Sequence, residues 1–330
     1  MEIAIVGAGN IGATFAVILK GCGHHVRLVE ILKDRVDLIN SGKLWVMMPD
    51  GSEKRVDVEA FSYPHDLGPV DLIQISTKAY DTRKATEDSL PMVGQHTMVL
   101  SIQNGLYNLE KIAEVVGKER VIGGVTAHGV SPISPYKLRY LGGEGPLLTI
   151  GKYDRRPHHR YREIAQSLKD TVKDVQMVED IESVIWKKLI ANISTNPIAA
   201  FSGFTANEIL ACDHARELLS LLAEESAKVA KARGLSFDEL DSPGEFVLKI
   251  FSPVKDHKIS MLQDLEANRR TEIGELNGAI VSEGERLGVP TPVNRTIELV
   301  IKTLEHRSGF KSFLENGSFR HHFGQKAGPD

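Results

Sequence analysis

The chain has 330 residues, of which 42% are hydrophobic and 25% charged, and its formal net charge is -4. The length predicts two domains, and the charge gives no electrostatic reason to expect a nucleic-acid partner. With only Cys22 and Cys212, no basic leader and no apolar run of roughly 20 residues, the sequence predicts a cytoplasmic protein without a disulfide framework, a metal site or a membrane span.

The first predicted elements are a strand, a glycine-rich turn and a helix. Residues 2–6 (EIAIV) form a short apolar run with β-branched side chains, as in a buried strand, and the apolar stretch after Gly12 is helical up to a glycine at 21 or 23. In this context Gly7 permits the turn, Gly9 lets the backbone approach a pyrophosphate, and Gly12 lets the helix pack against the strand. The N-terminus of the helix can then bind the phosphates of a dinucleotide. The predicted cofactor loop consists of Gly7, Ala8, Gly9, Asn10, Ile11 and Gly12.

The second predicted strand, residues 24–30, ends at Glu30, the position expected to contact the adenosine ribose. A carboxylate there accepts hydrogen bonds from the ribose hydroxyls of NAD and repels the 2′-phosphate of NADP. Lys33 and Arg35 follow closely and are able to reach such a phosphate. Glu30 therefore favours NADH, and the basic side chains leave NADPH open.

Two further apolar strands, residues 71–76 and 97–102, continue a doubly wound parallel pattern. Lys78 follows the first of them and Asn104 the second, at the edge where open α/β sheets bind ligands. A hairpin is predicted around residues 49–51, and residues 137–153 contain another pair of strands.

Long amphipathic stretches replace the strands after residue 178, which predicts a dinucleotide-binding domain over 1–178 and a helical domain over 179–330. The stretches comprise residues 180–195, 206–234, 258–288 and 291–307. On the first of them Lys188, Asn192 and Asn196 recur every four residues, which places an ammonium and two carboxamides on one helix face. Pro197 is expected to bend or end this helix after Asn196.

Five separated blocks of the sequence resemble the ketopantoate reductases (2-dehydropantoate 2-reductases). In chain order the blocks read GAGNIG, TKAYDT, QNGL, WKKLIANISTNPIAA and ISMLQDLEANRRTEIGELNGAIV. The resemblance covers nearly the whole chain. It implies an N-terminal Rossmann domain joined to an all-helical domain similar to that of 6-phosphogluconate dehydrogenase, with the active site between the two.

The resemblance also implies roles for individual residues. Lys188 matches the catalytic lysine of the family and Glu272 its active-site glutamate, while Ser260 matches the serine that binds the substrate carboxylate. Lys78 matches a lysine beside the cofactor. The matching amides, of which the first also lies on the cofactor side, are Asn104, Asn192 and Asn196.

The chain departs from the family at two points. Members that use NADPH usually carry an arginine where this chain has Glu30, so the resemblance favours NADPH and the residue favours NADH. Ser260 and Glu272 would lie about 120° apart on a single straight helix, so either a bend or a substrate that reaches round the helix is needed for both to contact it.

The resemblance implies reduction of the small 2-keto acid 2-dehydropantoate to D-pantoate, in pantothenate and coenzyme A biosynthesis. Hydride transfer to a keto carbon builds negative charge on its oxygen, which a lysine can stabilise and then protonate. One alternative is a D-2-hydroxyacid dehydrogenase acting on another branched 2-keto acid. A more remote alternative is a sensor that binds the dinucleotide without turnover. A homodimer is compatible with each of these functions.

Overall fold

The structure is a computed structural model that describes residues 1–134, 137–143, 145–154, 156, 158–252 and 258–307. The last part of the predicted helical domain, residues 308–330, lies outside the described residues. The strands are β1 (Glu2–Val6), β2 (His25–Val29), β3 (Trp45–Met47), β4 (Glu53–Arg55), β5 (Glu59–Phe61), β6 (Val70–Ile75), β7 (Val93–Ser101), β8 (Val121–Val125), β9 (Gly129–Ser134), β10 (Lys137–Gly142), β11 (Leu148–Lys152) and β12 (Val175–Met177).

The α-helices are distributed unevenly along the described chain, and most of the later ones follow each other without a strand between them. They are α1 (Asn10–Gly21), α2 (Lys33–Leu38), α3 (Thr82–Asp88), α4 (Asn108–Val116), α5 (His159–Thr171), α6 (Ile181–Ser202), α7 (Ala206–Ala211), α8 (Asp213–Ala232), α9 (Pro243–Phe251), α10 (Ser260–Glu266), α11 (Asn277–Leu287) and α12 (Pro292–Arg307). Within the described ranges, none of the helices is long and apolar enough to cross a membrane.

The large sheet has the strand order β12-β11-β8-β7-β6-β1-β2-β5. Its strands from β8 to β5 are mutually parallel, whereas β11 runs antiparallel to β8. The order reverses beside β1, because β2 lies on one side of it and β6 on the other. This is the topological switch point at which open α/β sheets bind ligands, and the glycine-rich loop follows β1 there.

Both faces of the large sheet are covered by helices, which explains why β1 is an uninterrupted apolar run. Ile3 and Ile5 belong to a hydrophobic cluster that includes residues of α1 and α5, whereas Ala4 and Val6 belong to a second cluster with residues of α3 and α4. Alternate residues of the strand thus face opposite layers. The Rossmann architecture predicted from the sequence is confirmed.

Four further strands form a second sheet with the order β4-β3-β10-β9, and these strands do not pair with those of the large sheet. The predicted hairpin is confirmed, because β3 and β4 are antiparallel and Gly51 has a φ of 81° in the turn between them. Residues 137–153 contain the two predicted strands, but these strands do not pair with each other. β10 pairs with β9 and β3 in the small sheet, and β11 pairs with β8 and β12 in the large one.

The helical half packs around α6, whose neighbours include α8, α9, α10 and α12. A third hydrophobic cluster fills this half, with Trp186 and Ile190 of α6 buried in it. Leu106, from the loop after β7, also belongs to this cluster, so the apolar core of the helical half reaches the end of the sheet.

The structure decides between the alternatives that the sequence left open for two helices. α6 does not end at Asn196 but continues through Pro197 to Ser202. Residues 258–288 do not form one long helix, because α10 ends at Glu266 and α11 begins at Asn277. The break is a Schellman motif: Asn268 has a φ of 51°, its N–H donates to the Leu265 carbonyl, and the Arg269 N–H donates to the Asp264 carbonyl. Asparagine tolerates this left-handed conformation, so the chain turns before Glu272.

Candidate active site

The glycine-rich loop fits a dinucleotide pyrophosphate. A Cβ on Gly12 would overlap the Gly7 carbonyl oxygen, and a Cβ on Gly7 would lie 2.8 Å from the Thr77 nitrogen, so these two glycines are required for packing. Gly9 differs, because within the described chain no atom lies within 4 Å of where its Cβ would be. Its backbone is therefore open to a ligand, and α1 begins at the next residue, Asn10.

Glu30 lies against this loop at the end of β2. The carboxylate is buried, its Oε2 accepts a hydrogen bond from the Ala8 N–H (3.2 Å), and its Oε1 accepts one from the Leu32 N–H (3.0 Å). The Nε of Arg35 is 4.0 Å from Oε2. Burial lowers the pKa of Arg35, Glu30 raises it, and Arg269 of the helical half lowers it further. The end of β2 beside the loop therefore contains the Glu30 carboxylate, the Arg35 guanidinium next to it, and Arg269 close enough to act on Arg35.

Lys78 joins the two halves of the molecule. It follows β6, and its Nζ is 2.5 Å from Oδ2 of Asp264 in α10 and 3.7 Å from Oε2 of Glu272. Burial disfavours the charged lysine, but the two carboxylates outweigh burial and raise the pKa of Lys78. Glu272 also accepts a hydrogen bond from the Ala79 N–H at 3.0 Å. The loop after β6 is thus bonded to the segment between α10 and α11.

Lys188 projects from α6 and is half-buried. Within the described ranges it makes no hydrogen bond or ion pair. Burial lowers the pKa of Lys188 to about 8, and the Glu272 carboxylate, which is close enough to act on it, opposes this shift. An ammonium with a pKa near neutrality and without a fixed partner is able to donate a proton to a ligand.

The predicted amides occupy different environments. Nδ2 of Asn192, one turn after Lys188, lies 3.5 Å from Oδ1 of Asn104, so the two amides meet between α6 and the end of β7. Asn196 is buried, and its Oδ1 lies 3.4 Å from the Thr195 hydroxyl. Ser260 is exposed at the start of α10, and no hydrogen bond to it is found in the described chain. Because the helix ends at Glu266, Ser260 and Glu272 do not share one straight helix, and the separation of about 120° expected from such a helix does not apply.

Three further residues of the site, Asp264, Arg269 and Gln103, were not predicted from the sequence. Asp264 is buried and binds both Lys78 and Nε of Arg269 (3.0 Å). Gln103 donates to the Thr77 carbonyl (3.0 Å) and so connects the loops after β6 and β7. Asp264 lies four residues after Ser260, a spacing that places both on one face of α10. This spacing from a predicted site residue was the sequence feature that could have indicated Asp264.

The fold and the site define the class of the protein: an oxidoreductase that uses a nicotinamide dinucleotide. Two family models match the chain, one described as ketopantoate reductase PanE/ApbA over residues 3–155 and the other as the C-terminal part of the same family over residues 180–305. The chain belongs to the ketopantoate reductase family, which confirms the resemblance seen in its sequence motifs.

Individual relatives agree along the whole matched length. A 2-dehydropantoate 2-reductase of Archaeoglobus fulgidus is 30% identical over 92% of this chain and 98% of its own length. A crystal structure of 2-dehydropantoate 2-reductase from Geobacter metallireducens is 28% identical and superimposes with a TM-score of 0.85, covering 92% of this chain and 99% of the other. A D-mandelate dehydrogenase solved with NADH and anilino(oxo)acetate is 24% identical, with a TM-score of 0.86 and coverage of 94% and 100%, and shows the common fold.

Proposed function

We propose that this protein reduces 2-dehydropantoate to D-pantoate, a step of pantothenate and coenzyme A biosynthesis. Its relatives, which are named 2-dehydropantoate 2-reductases, support this proposal. The observation that carries the proposal is Lys188, whose pKa of about 8 is set by burial beside Glu272. A lysine of this kind is a proton donor at neutral pH, and it lies one turn from an amide pair.

Each residue has a part in this reaction. A bound nicotinamide supplies the hydride. The Lys188 ammonium stabilises the charge that develops on the keto oxygen and then protonates it. Asn104, Asn192, Asn196 and Ser260 orient the acid, which makes transfer efficient by positioning.

The negative charge of Glu272 favours the protonated form of Lys188. The same carboxylate, although it pairs with Lys78, accepts a further hydrogen bond from a substrate hydroxyl. We assign the dinucleotide to the loop from Gly7 to Gly12 with Glu30 and Lys78, and the domain division to residue 178. The location in the cytoplasm and a homodimeric assembly stay predictions from the sequence.

For the cofactor we infer a preference for NADH. The Glu30 carboxylate is fixed by two backbone N–H groups and is only 8% exposed, so it cannot turn away from a 2′-phosphate. Arg35 favours the opposite choice, because its Nε lies 4.0 Å from Glu30 and a guanidinium at this position is able to bind such a phosphate.

Initial rates of nicotinamide oxidation test substrate and cofactor together. We expect turnover of 2-dehydropantoate with NADH, and slower turnover of a branched 2-keto acid that lacks the C4 hydroxyl. Faster turnover with NADPH would support the reductase function and indicate that Arg35 binds the 2′-phosphate of the cofactor. Turnover of only the hydroxyl-free acid would indicate a D-2-hydroxyacid dehydrogenase, and cofactor binding without any turnover would indicate a sensor.

The pH dependence of the reaction follows from Lys188. A lysine pKa lowered to about 8 leaves the proton donor charged below that pH and progressively uncharged above it. We therefore expect kcat/KM for keto acid reduction to be flat below about pH 8 and to fall about tenfold per pH unit above it. A profile of initial rates at constant ionic strength checks this, and a flat profile to pH 10 would remove Lys188 from the role of proton donor.

A further inference from the structure

Pro197 leaves a gap in the hydrogen bonding of α6, next to the side chains assigned to the substrate. Proline has no N–H, so the carbonyl of Ile193, four residues earlier, loses its helical partner. Ile193 follows Asn192, and Pro197 follows Asn196. The missing bond therefore falls within the turn that carries both predicted substrate amides.

The side chain of Asn277, the first residue of α11, closes this gap. It is 0% exposed, and its Nδ2 donates to the Ile193 carbonyl and to Oδ1 of Asn294, both at 3.0 Å. The two acceptors fix the orientation of the amide, because the flipped amide would place its oxygen against two oxygens. Both Nδ2 hydrogens are used, whereas Oδ1 of Asn277 has no hydrogen-bond partner among the described residues.

Asn277 is itself held by a buried network. Asn294 donates through Nδ2 to Oε2 of Glu225 at 2.9 Å, and its backbone N–H donates to the same oxygen at 2.9 Å. The Val293 N–H binds the other oxygen of Glu225. The network thus runs from α8 through the start of α12 and the start of α11 to the broken turn of α6. Each of the donor groups named here has a buried acceptor, and such buried hydrogen bonds favour one arrangement of the three helices with α6.

Asn277 also connects this turn to Glu272. The N–H of Leu276, the residue before it, donates to the Glu272 carbonyl at 2.9 Å. The segment that carries Glu272 therefore leads directly into Asn277, whose side chain binds the helix that carries Lys188 and the amides.

We propose that Asn277 is a positioning residue, which replaces the helix hydrogen bond lost at Pro197 and holds the turn from Asn192 to Asn196 in register with Glu272. This inference rests on the proposed reductase function. The proline frees the Ile193 carbonyl, which then accepts a hydrogen bond from α11. In a helix without the proline, this carbonyl would be bonded within the helix.

The test is a double-mutant cycle of Asn277→Leu and Pro197→Ala. Asn277→Leu is expected to lower kcat about 10- to 100-fold and to raise KM for the keto acid, because a small misplacement of substrate-orienting groups is costly. The KM for the nicotinamide should not change, since the glycine-rich loop is not part of the network. A loss of folded protein alone would lower kcat and leave both KM values unchanged.

Pro197→Ala provides the rescue, because alanine at this position restores a backbone N–H that can donate to the Ile193 carbonyl. The double variant is expected to recover to within about threefold of Pro197→Ala alone. The bond from Asn277 to Asn294 is lost in both Asn277 variants, so the cycle isolates the Ile193 carbonyl. If Asn277→Leu alone does not fold, folding and turnover of the double variant support the proposal, and its failure to fold overturns it.

The wild-type rate with 2-dehydropantoate tests the function separately from this inference. If the wild type turns over and Asn277→Leu matches it in kcat and in both KM values, the positioning role is wrong. The same holds if the defect of Asn277→Leu is as large in the Pro197→Ala background. Thermal unfolding of the four proteins gives the same cycle without substrate, and additive losses there would also contradict the replaced hydrogen bond.

Discussion

Replacement of Lys188 by methionine is expected to lower kcat for keto acid reduction about 10³-fold and to leave KM for the keto acid within a few fold of the wild type. Methionine keeps most of the length of the side chain and removes the proton and the charge. The loss should fall on kcat because the keto oxygen becomes strongly negative only in the transition state. Steady-state kinetics below pH 8 measure it, where Lys188 of the wild type is protonated.

Lys187 provides the matched control for Lys188. It is the preceding residue on α6, but its Nζ binds Glu239 at 2.8 Å, away from Glu272. Lys187→Met should therefore retain the wild-type rate. Lys188→Arg should retain part of the rate and lose the decline above pH 8, because a guanidinium stays charged there. Equal activity of Lys188→Met and the wild type would sink the proton-donor assignment.

The cofactor side of the site was predictable because its residues lie close together in the sequence and obey local rules. The strand, the turn and the helix around Gly7 and Gly12 follow each other directly, and Glu30 ends the next strand. Backbone approach and close packing require these residue types, and the structure shows the clash that any Cβ on Gly12 would cause. The helices after residue 178 were predictable for the same reason, because their apolar periodicity involves only residues that are close in the sequence.

The substrate side was less predictable because its contacts join distant segments. Lys78 and Asp264 are 186 positions apart, and nothing in either segment indicates the ion pair. α6 continues past Pro197, and an amide from α11 binds the carbonyl that the proline leaves without a helical partner. The local rule for proline did not decide between a bend and an end of the helix. The break after Glu266 depends on a left-handed Asn268, which apolar periodicity does not reveal.

The charges of the site explain why Lys78 and Lys188 differ although both face Glu272. Lys78 has a second carboxylate, Asp264, at 2.5 Å, and its pKa is raised. Among the described residues, Glu272 is the one carboxylate that opposes the effect of burial on Lys188, and the pKa of Lys188 is lowered. Lys78 is thus a fixed cation that joins the two halves of the molecule, and Lys188 is the residue to which we assign proton donation. Glu272 raises the pKa of both Lys78 and Lys188.

Replacement of Glu272 by glutamine is expected to lower kcat/KM about 10²- to 10³-fold and to move the decline of the pH profile below pH 8. Glutamine keeps an acceptor for the Ala79 N–H but removes the negative charge. Because that charge raises the pKa of Lys188, its loss lowers this pKa further, so less of the proton donor is charged at neutral pH. Rate profiles of the variant and the wild type, measured from pH 5 to 9, show the displacement.

Glu275→Gln provides the comparison that separates charge from local packing. Glu275 is a half-buried carboxylate in the same turn, and it pairs with Arg270 at 3.9 Å and with neither lysine. Its replacement should leave the pH profile in place and change the rate only a few fold. A Glu272→Gln variant whose rate falls while its profile stays at pH 8 would show that Glu272 acts by direct contact with the substrate alone. A shift of the profile in both variants would mean that the total charge of the segment, and not the position of Glu272, sets the pKa of Lys188.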